Sequence, residues 1–221
     1  MLAVIGENVV DIMPAEHGLY RPCLGGSPFN VVIGAARRGI DVCYLSPLSQ
    51  DHFGQQFARY LADNGAHYGL PFFSAAPSSL AMVSVDAQLQ PQYSLYRSSI
   101  ADRAVSAEQQ IAALPGNCKL LHLGSLALEP EDAPRIRAVL QAAAARQILI
   151  SVDINVRLNA VSDVSAYRAF LPEVTALSQF IKASDEDLDL LFTSMALPDA
   201  VAAIRQAAPA AMLALTEGDK G

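Results

Sequence analysis

At 221 residues and 52% hydrophobic side chains, the chain has apolar mass for one substantial α/β core, and its composition argues against disorder over most of its length. A formal net charge of −7 and a pI of about 5.0 argue against a surface built for polyanionic nucleic acid, but leave room for a small anion held by local donors. The three cysteines, Cys23, Cys43 and Cys118, are widely spaced and odd in number, so no disulfide framework or zinc spacing emerges and a reducing cytoplasm is expected.

Leu2 to Ile5 reads as a strand ending at Gly6, with no basic leader before it and so no expected signal peptide. After Gly25–Gly26 a helix is predicted, with Ser27 as N-cap, Pro28 at the first helical position, and Phe29, Val32, Ile33 and Ala36 as its apolar face. Arg37 and Arg38 occupy its last turn, where the helix dipole favours cations, and Gly39 supplies a left-handed exit. Val42 to Leu45 is the next strand, and Phe53, Phe57 and Leu61 stripe a second helix stopped by Asn64–Gly65. From Leu80 to Arg97 the pattern changes. Ala81, Val83 and Val85 alternate with Met82, Ser84 and Asp86, and Tyr93, Leu95 and Arg97 alternate beyond a Gln/Pro turn. Alternation gives one wet and one covered face, which predicts a hairpin standing off the main sheet as a small β lid. Strands at 120–123, 148–152, 180–183 and 212–215 then interleave with helices at about 131–146 and 164–177, from Asp185 and from Pro198. This order predicts a mostly parallel central sheet covered by helices on both faces, a three-layer α/β/α sandwich. No apolar run reaches the length of a membrane span.

Ligands of open α/β sheets bind beyond the carboxyl ends of the strands. Asp11, after the first strand, is either a surface turn acid or an acceptor for two sugar hydroxyls. Gly25–Gly26, with Asn30 one turn into the helix, either exposes bare backbone to a ligand or is simple loop chemistry. Asp153, Asn155 and Arg157 offer acceptor, amide and guanidinium at i, i+2 and i+4, as a site or as a solvated strand end. Ser184 to Asp187 has the spacing of a capping box, with a metal role for Asp187 as the alternative. Thr216 to Gly218 suits either nucleotide phosphates or a tight turn. His17, His52, His67 and His122 show no ligand spacing; His122 reads as a hydrogen-bonded core histidine. Neither a GxxxxGK[ST] loop, a GxGxxG loop nor a GxSxG elbow is present.

In chain order, GENVVDIMP, GGSPFNVVIGAARRG, GQQFARYLADNG, LYRSSIADR, DINVR, KASDEDLDLL and LTEGDKG resemble segments of the ribokinase-like, phosphofructokinase-B type carbohydrate kinases. The resemblance implies an ATP-dependent, cytoplasmic kinase acting on a primary hydroxyl of a small sugar. It implies that Asp11, Gly25, Gly26 and Asn30 bind the sugar, that Tyr96 and Arg97 reach it from the lid, and that Arg157 approaches its polar end or the transferred phosphate. Lys182, Ser184, Thr216 and Gly218 would line the ATP site. The family's Asn-x-x-Glu stands here as Ser184-x-x-Asp187, which makes Asp187 the metal-associated candidate, with Mg2+ carried mainly by the phosphates and a monovalent cation also expected. Among substrates, GGSPFN and DINVR are most similar to fructokinases, then to 2-keto-3-deoxygluconate kinases, whose acid sugar could pair with Arg97 and Arg157. The family's Gly-Ala-Gly-Asp segment, which supplies the catalytic base, is not among these 221 residues, so the resemblance places the base beyond Gly221. It therefore implies a domain incomplete at its carboxyl end and inactive alone, with a non-catalytic sugar- or nucleotide-binding remnant as the alternative. Sugar and ATP are the expected partners, without nucleic acid or membrane. A homodimer through the lid, residues 80–97 with part of 12–24, is a further expectation.

Overall fold

The strand-forming runs sort into two separate sheets in the computed structural model, which describes residues 1–85 and 91–218. The expected turn of the lid hairpin lies outside the described residues, as does the end of LTEGDKG from Asp219 to Gly221. The main sheet takes β1 (Leu2–Val4), β4 (Val42–Tyr44), β5 (His67–Tyr68), β8 (Leu120–Gly124), β9 (Leu149–Asp153), β10 (Phe180–Ser184) and β11 (Met212–Thr216). The second takes β2 (Val9–Pro14), β3 (Tyr20–Gly25), β6 (Ser79–Val85) and β7 (Pro91–Tyr96). Seven α-helices accompany them among the described residues: α1 (Ser27–Arg37), α2 (His52–Asp63), α3 (Ala107–Ala113), α4 (Ala133–Ala145), α5 (Val164–Leu177), α6 (Asp185–Leu191) and α7 (Leu197–Ala207).

The main sheet is parallel throughout, in the order β11-β10-β9-β8-β1-β4-β5. Ile5, Leu45, Leu121, Leu123, Ile150, Val152, Ile181 and Ala183 turn to one face and pack with α3 to α7. Val4, Val42 and Tyr44 turn to the other and meet Phe29, Val32 and Ile33 of α1 and Phe57 and Leu61 of α2. Burying these stripes is the main stabilising term, roughly 1.5–3 kcal/mol per large apolar side chain. Local chemistry fixes the helix starts: the Asp51 carboxylate accepts the Gly54 N–H at 2.8 Å, and Ser184 and Asp187 close a reciprocal capping box on α6.

The three-layer α/β/α arrangement is as expected, with α1 and α2 over β1 and β4 on one face, where Leu149, Phe180 and Met212 of β9, β10 and β11 are exposed. The second sheet is larger than a hairpin with part of 12–24. It includes all of β2 from Val9, in the order β3-β2-β6-β7, and ends at Tyr96.

Candidate active site

Beyond the carboxyl ends of β1, β8 and β9, between the two sheets, lies a cleft of about 770 Å³. Asp11 from β2, Gly26 and Asn30 at the start of α1, and Arg157 after β9 all line it. Four sequence candidates far apart in the chain thus meet in one place. Gly25 sits beneath them, since a β-carbon there would stand 2.5 Å from Asp11 Oδ2. Gly26 has φ 107, and a β-carbon would meet the Glu7 carbonyl oxygen at 2.4 Å. The glycine pair therefore lets the chain pass close over β2 before α1 begins. Burial raises the Asp11 carboxyl above the usual carboxylate range.

Glu7 also lines the cleft, and sequence reasoning gave it no role. Ser27, expected as the N-cap, is instead the first helical residue, and the cap position falls on Gly26, which has no side chain. The Glu7 carboxylate takes over: its Oε1 accepts the Ser27 N–H at 3.1 Å, while Oε2 is buried without a partner. The signal was a lone acid after an apolar strand, but its target lies twenty residues on. Burial raises the Glu7 pKa to about 7, against the lowering pull of backbone hydrogen bonds and Arg97. An acid whose folded pKa is raised stabilises fully below its unfolded pKa, and that contribution is lost as pH rises through the folded value. Glu7→Gln keeps an acceptor for Ser27 without the charge. Relative to the parent, the variant should therefore gain stability between about pH 4.5 and pH 7, by on the order of 3 kcal/mol at most. Urea titrations at pH 5 and pH 8 measure it, and a gain that shrinks with pH contradicts the assignment.

Tyr96 and Arg97 do not line the cleft, contrary to the sequence expectation. Along β7 the side chains alternate, so Tyr93 and Leu95 face the cleft while Tyr96, 62% exposed, points the other way. Arg97 lies past the strand in a buried ionic cluster. Its Nη1 donates to Asp102 Oδ2 at 3.0 Å and to Ser79 Oγ at 3.1 Å, and its Nε donates to Glu129 Oε1 at 3.1 Å. Arg103 joins Glu129 at 2.7 Å and Asp132 at 2.8 Å.

Asp187 does not fit a metal ligand either. Its Oδ1 accepts the Val156 N–H at 2.7 Å and its Oδ2 the Ser184 N–H at 2.8 Å, so both oxygens are committed to backbone. Among the described residues no group of three His, Cys, Asp or Glu side chains could hold a metal ion. Direct ligation of Mg2+ by Asp187 is therefore disfavoured. The nucleotide candidates lie apart from the cleft lining, at the carboxyl ends of β10 and β11. Ser184 pairs in register with Thr216, and Gly218 follows in a left-handed conformation at φ 59. By strand alternation Lys182, Ser184 and Thr216 share the sheet face that α1 and α2 leave bare, with Lys182 Nζ 3.1 Å from Asp153 Oδ1. The place expected for the catalytic base, beyond Gly221, falls outside the described residues, which end at Gly218, and none of the described acids is assigned that role. His122 Nδ1 lies 3.1 Å from Ser151 Oγ, and burial lowers its pKa to about 4, which leaves it neutral near pH 7. Ser125, Asn155, Asn159, Tyr93 and Leu95 complete much of the cleft wall; of these only Asn155 stood out in the sequence.

A parallel α/β sheet with a small second sheet over the carboxyl ends of its strands is the architecture of the ribokinase-like kinases. The crystal structure of fructokinase from Xylella fastidiosa superimposes with a TM-score of 0.86 at 26% identity, over 98% of this chain and 72% of that one. Aminoimidazole riboside kinase from Salmonella enterica shares the fold at a TM-score of 0.83 and 21% identity, over 100% of this chain and 71% of that one. The pattern of the pfkB family carbohydrate kinases matches residues 4–221, and the chain belongs to that family. It is 28% identical over 225 residues to the fructokinase of Rhizobium leguminosarum bv. trifolii, a match spanning 100% of this chain and 68% of the relative. It is 27% identical over 231 residues to fructokinase-2 of Solanum lycopersicum, spanning 100% of this chain and 70% of that protein.

Proposed function

We propose that the cleft binds an uncharged, fructose-like ketose and that the site serves transfer of the ATP γ-phosphoryl group to a primary hydroxyl of that sugar. The observation that carries this reading is the charge of the wall. Glu7 and Asp11 supply two carboxyl groups and Arg157 one guanidinium, because Arg97 is spent on Asp102 and Glu129. A sugar acid would bring a further anion into a cleft whose lining, among the described residues, opposes it with Arg157 alone, whereas a polyol offers donors to Asp11 and acceptors to Asn30 and Arg157. The fructokinase relatives support the same substrate class, and the Vibrio cholerae fructokinase has been crystallised with fructose, ADP and potassium ion. In the proposed reaction the sugar hydroxyl oxygen bonds to the γ-phosphorus as the bond to the ADP oxygen breaks, and the hydroxyl proton passes to a base. Lys182, Thr216 and Gly218 are the proposed phosphate contacts.

Calorimetric titration of the chain with fructose and with 2-keto-3-deoxygluconate tests the substrate class. Fructose should bind at least about tenfold more tightly, and Asp11→Ala should weaken it by roughly 1.5–3 kcal/mol through loss of a charged acceptor. Tighter binding of the acid sugar, or an Asp11→Ala protein with unchanged fructose affinity, would defeat the reading.

A further inference from the structure

Ser125 stands immediately after β8, between the ends of β1 and β9, with φ 54. That left-handed region costs a non-glycine residue roughly 1–2 kcal/mol, and serine lacks the tolerance of asparagine for it. The preceding Gly124 is required by close approach, since a β-carbon there would stand 2.0 Å from the Asp153 carbonyl oxygen. A second glycine at 125 would relieve the conformation, yet the chain carries a hydroxyl there. Asn155, two residues past β9, is left-handed as well, at φ 39, and lines the same cleft. Residues held in sparsely populated backbone regions cluster where a ligand must be met. Ser125 is 5% exposed and lines the cleft. Among the described residues its hydroxyl has no hydrogen-bond partner, which leaves it available at the cleft wall.

We propose that Ser125 is a ligand-contacting, specificity-determining residue whose hydroxyl meets one sugar hydroxyl from the main-sheet side of the cleft, while Asp11 serves from the second sheet. The inference rests on the sugar reading of the cleft and adds to it a residue that no motif marks. A serine hydroxyl both donates and accepts, which suits a sugar hydroxyl and penalises a deoxy position that would leave it unpaired.

The test uses Ser125→Gly and Ser125→Ala, with fructose and its monodeoxy analogues as probes. Glycine relieves the backbone and removes the hydroxyl; alanine removes the hydroxyl and keeps the strain. Both variants should bind fructose about three- to tenfold more weakly, while Ser125→Gly melts at the same temperature or a few degrees higher. One monodeoxy fructose should bind the parent more weakly and show no further loss in either variant, a coupling that a purely structural serine would not produce. Unchanged fructose affinity in both variants overturns the inference. So does an equal loss for every analogue accompanied by a lower melting temperature. If the parent itself binds fructose and the variants match it, this inference alone falls; if the parent binds no sugar, the reading of the cleft falls with it.

Discussion

Replacing Arg97 by methionine is expected to cost the fold about 3–5 kcal/mol and to leave the sugar affinity of the surviving folded protein nearly intact. The Arg97 side chain is only 7% exposed and is the cation against which Asp102 and Glu129 are buried. Removing it strands the Asp102 carboxylate in the interior and leaves Glu129 with Arg103 as its remaining cation, and the loss is a large share of a typical stability of roughly 5–15 kcal/mol. Burial already raises both carboxyl groups, and Arg97 is the largest influence pulling them down. Without it they rise further, and a raised acid stabilises most at low pH. The deficit of Arg97→Met should thus be smaller at pH 5 than at pH 8. Urea midpoints at the two pH values, read beside fructose titrations, check the expectation. Lost sugar affinity with an unchanged midpoint would put Arg97 back in the cleft.

A purified polypeptide of residues 1–221 is expected to phosphorylate ketoses at less than about a thousandth of the rate of a version extended beyond Gly221 by a relative's Gly-Ala-Gly-Asp segment. A positioned base contributes ~10²–10⁴-fold and each preorganised donor at the transferring group ~10²–10³-fold, though the two need not multiply because they act on one transition state. The acids at hand are otherwise engaged. Glu7 holds Ser27, Asp153 faces Lys182, Asp187 is bound by two amides, and Asp11 is the proposed sugar anchor. An ADP-release assay with a panel of ketoses on both proteins decides this. Turnover by residues 1–221 within about tenfold of the extended version would move the base to Asp11 or Glu7.

Local periodicity made most of the main sheet and its helices legible. The helix read over 164–177 is α5 as found, because Tyr167, Phe170, Leu171 and Val174 form one buried stripe. Asp11, Gly25–Gly26, Asn30 and Arg157 were legible as a cleft because each follows a strand or opens a helix in the parallel sheet or its appendage. The failures are non-local. Arg97 continued an alternation that ran toward the ligand, and its carboxylate partners come from the segments after β7 and β8. Tyr96 has opposite parity to Tyr93 and Leu95, so the alternation itself already placed it on the outer face. Nothing in the letters around Ser125 reports a left-handed backbone, and the partner of Glu7 becomes its neighbour only through the second sheet.

The position of β1 has a kinetic consequence. β1 precedes the other strands in the chain yet lies inside the sheet, paired on one side with β4 and on the other with β8, where Leu2 meets Leu120. Such long sequence separation raises contact order and slows folding, because loop closure is paid before the pairing rewards it. On a ribosome adding ~5–20 residues per second, several seconds separate the emergence of β4 from that of β8. Throughout that interval β1 presents an unpaired backbone edge, and nascent chains crowded on one message could zip together along it. The antiparallel pair β2–β3, joined by a short loop, needs no such wait and can form while the middle of the main sheet is still open.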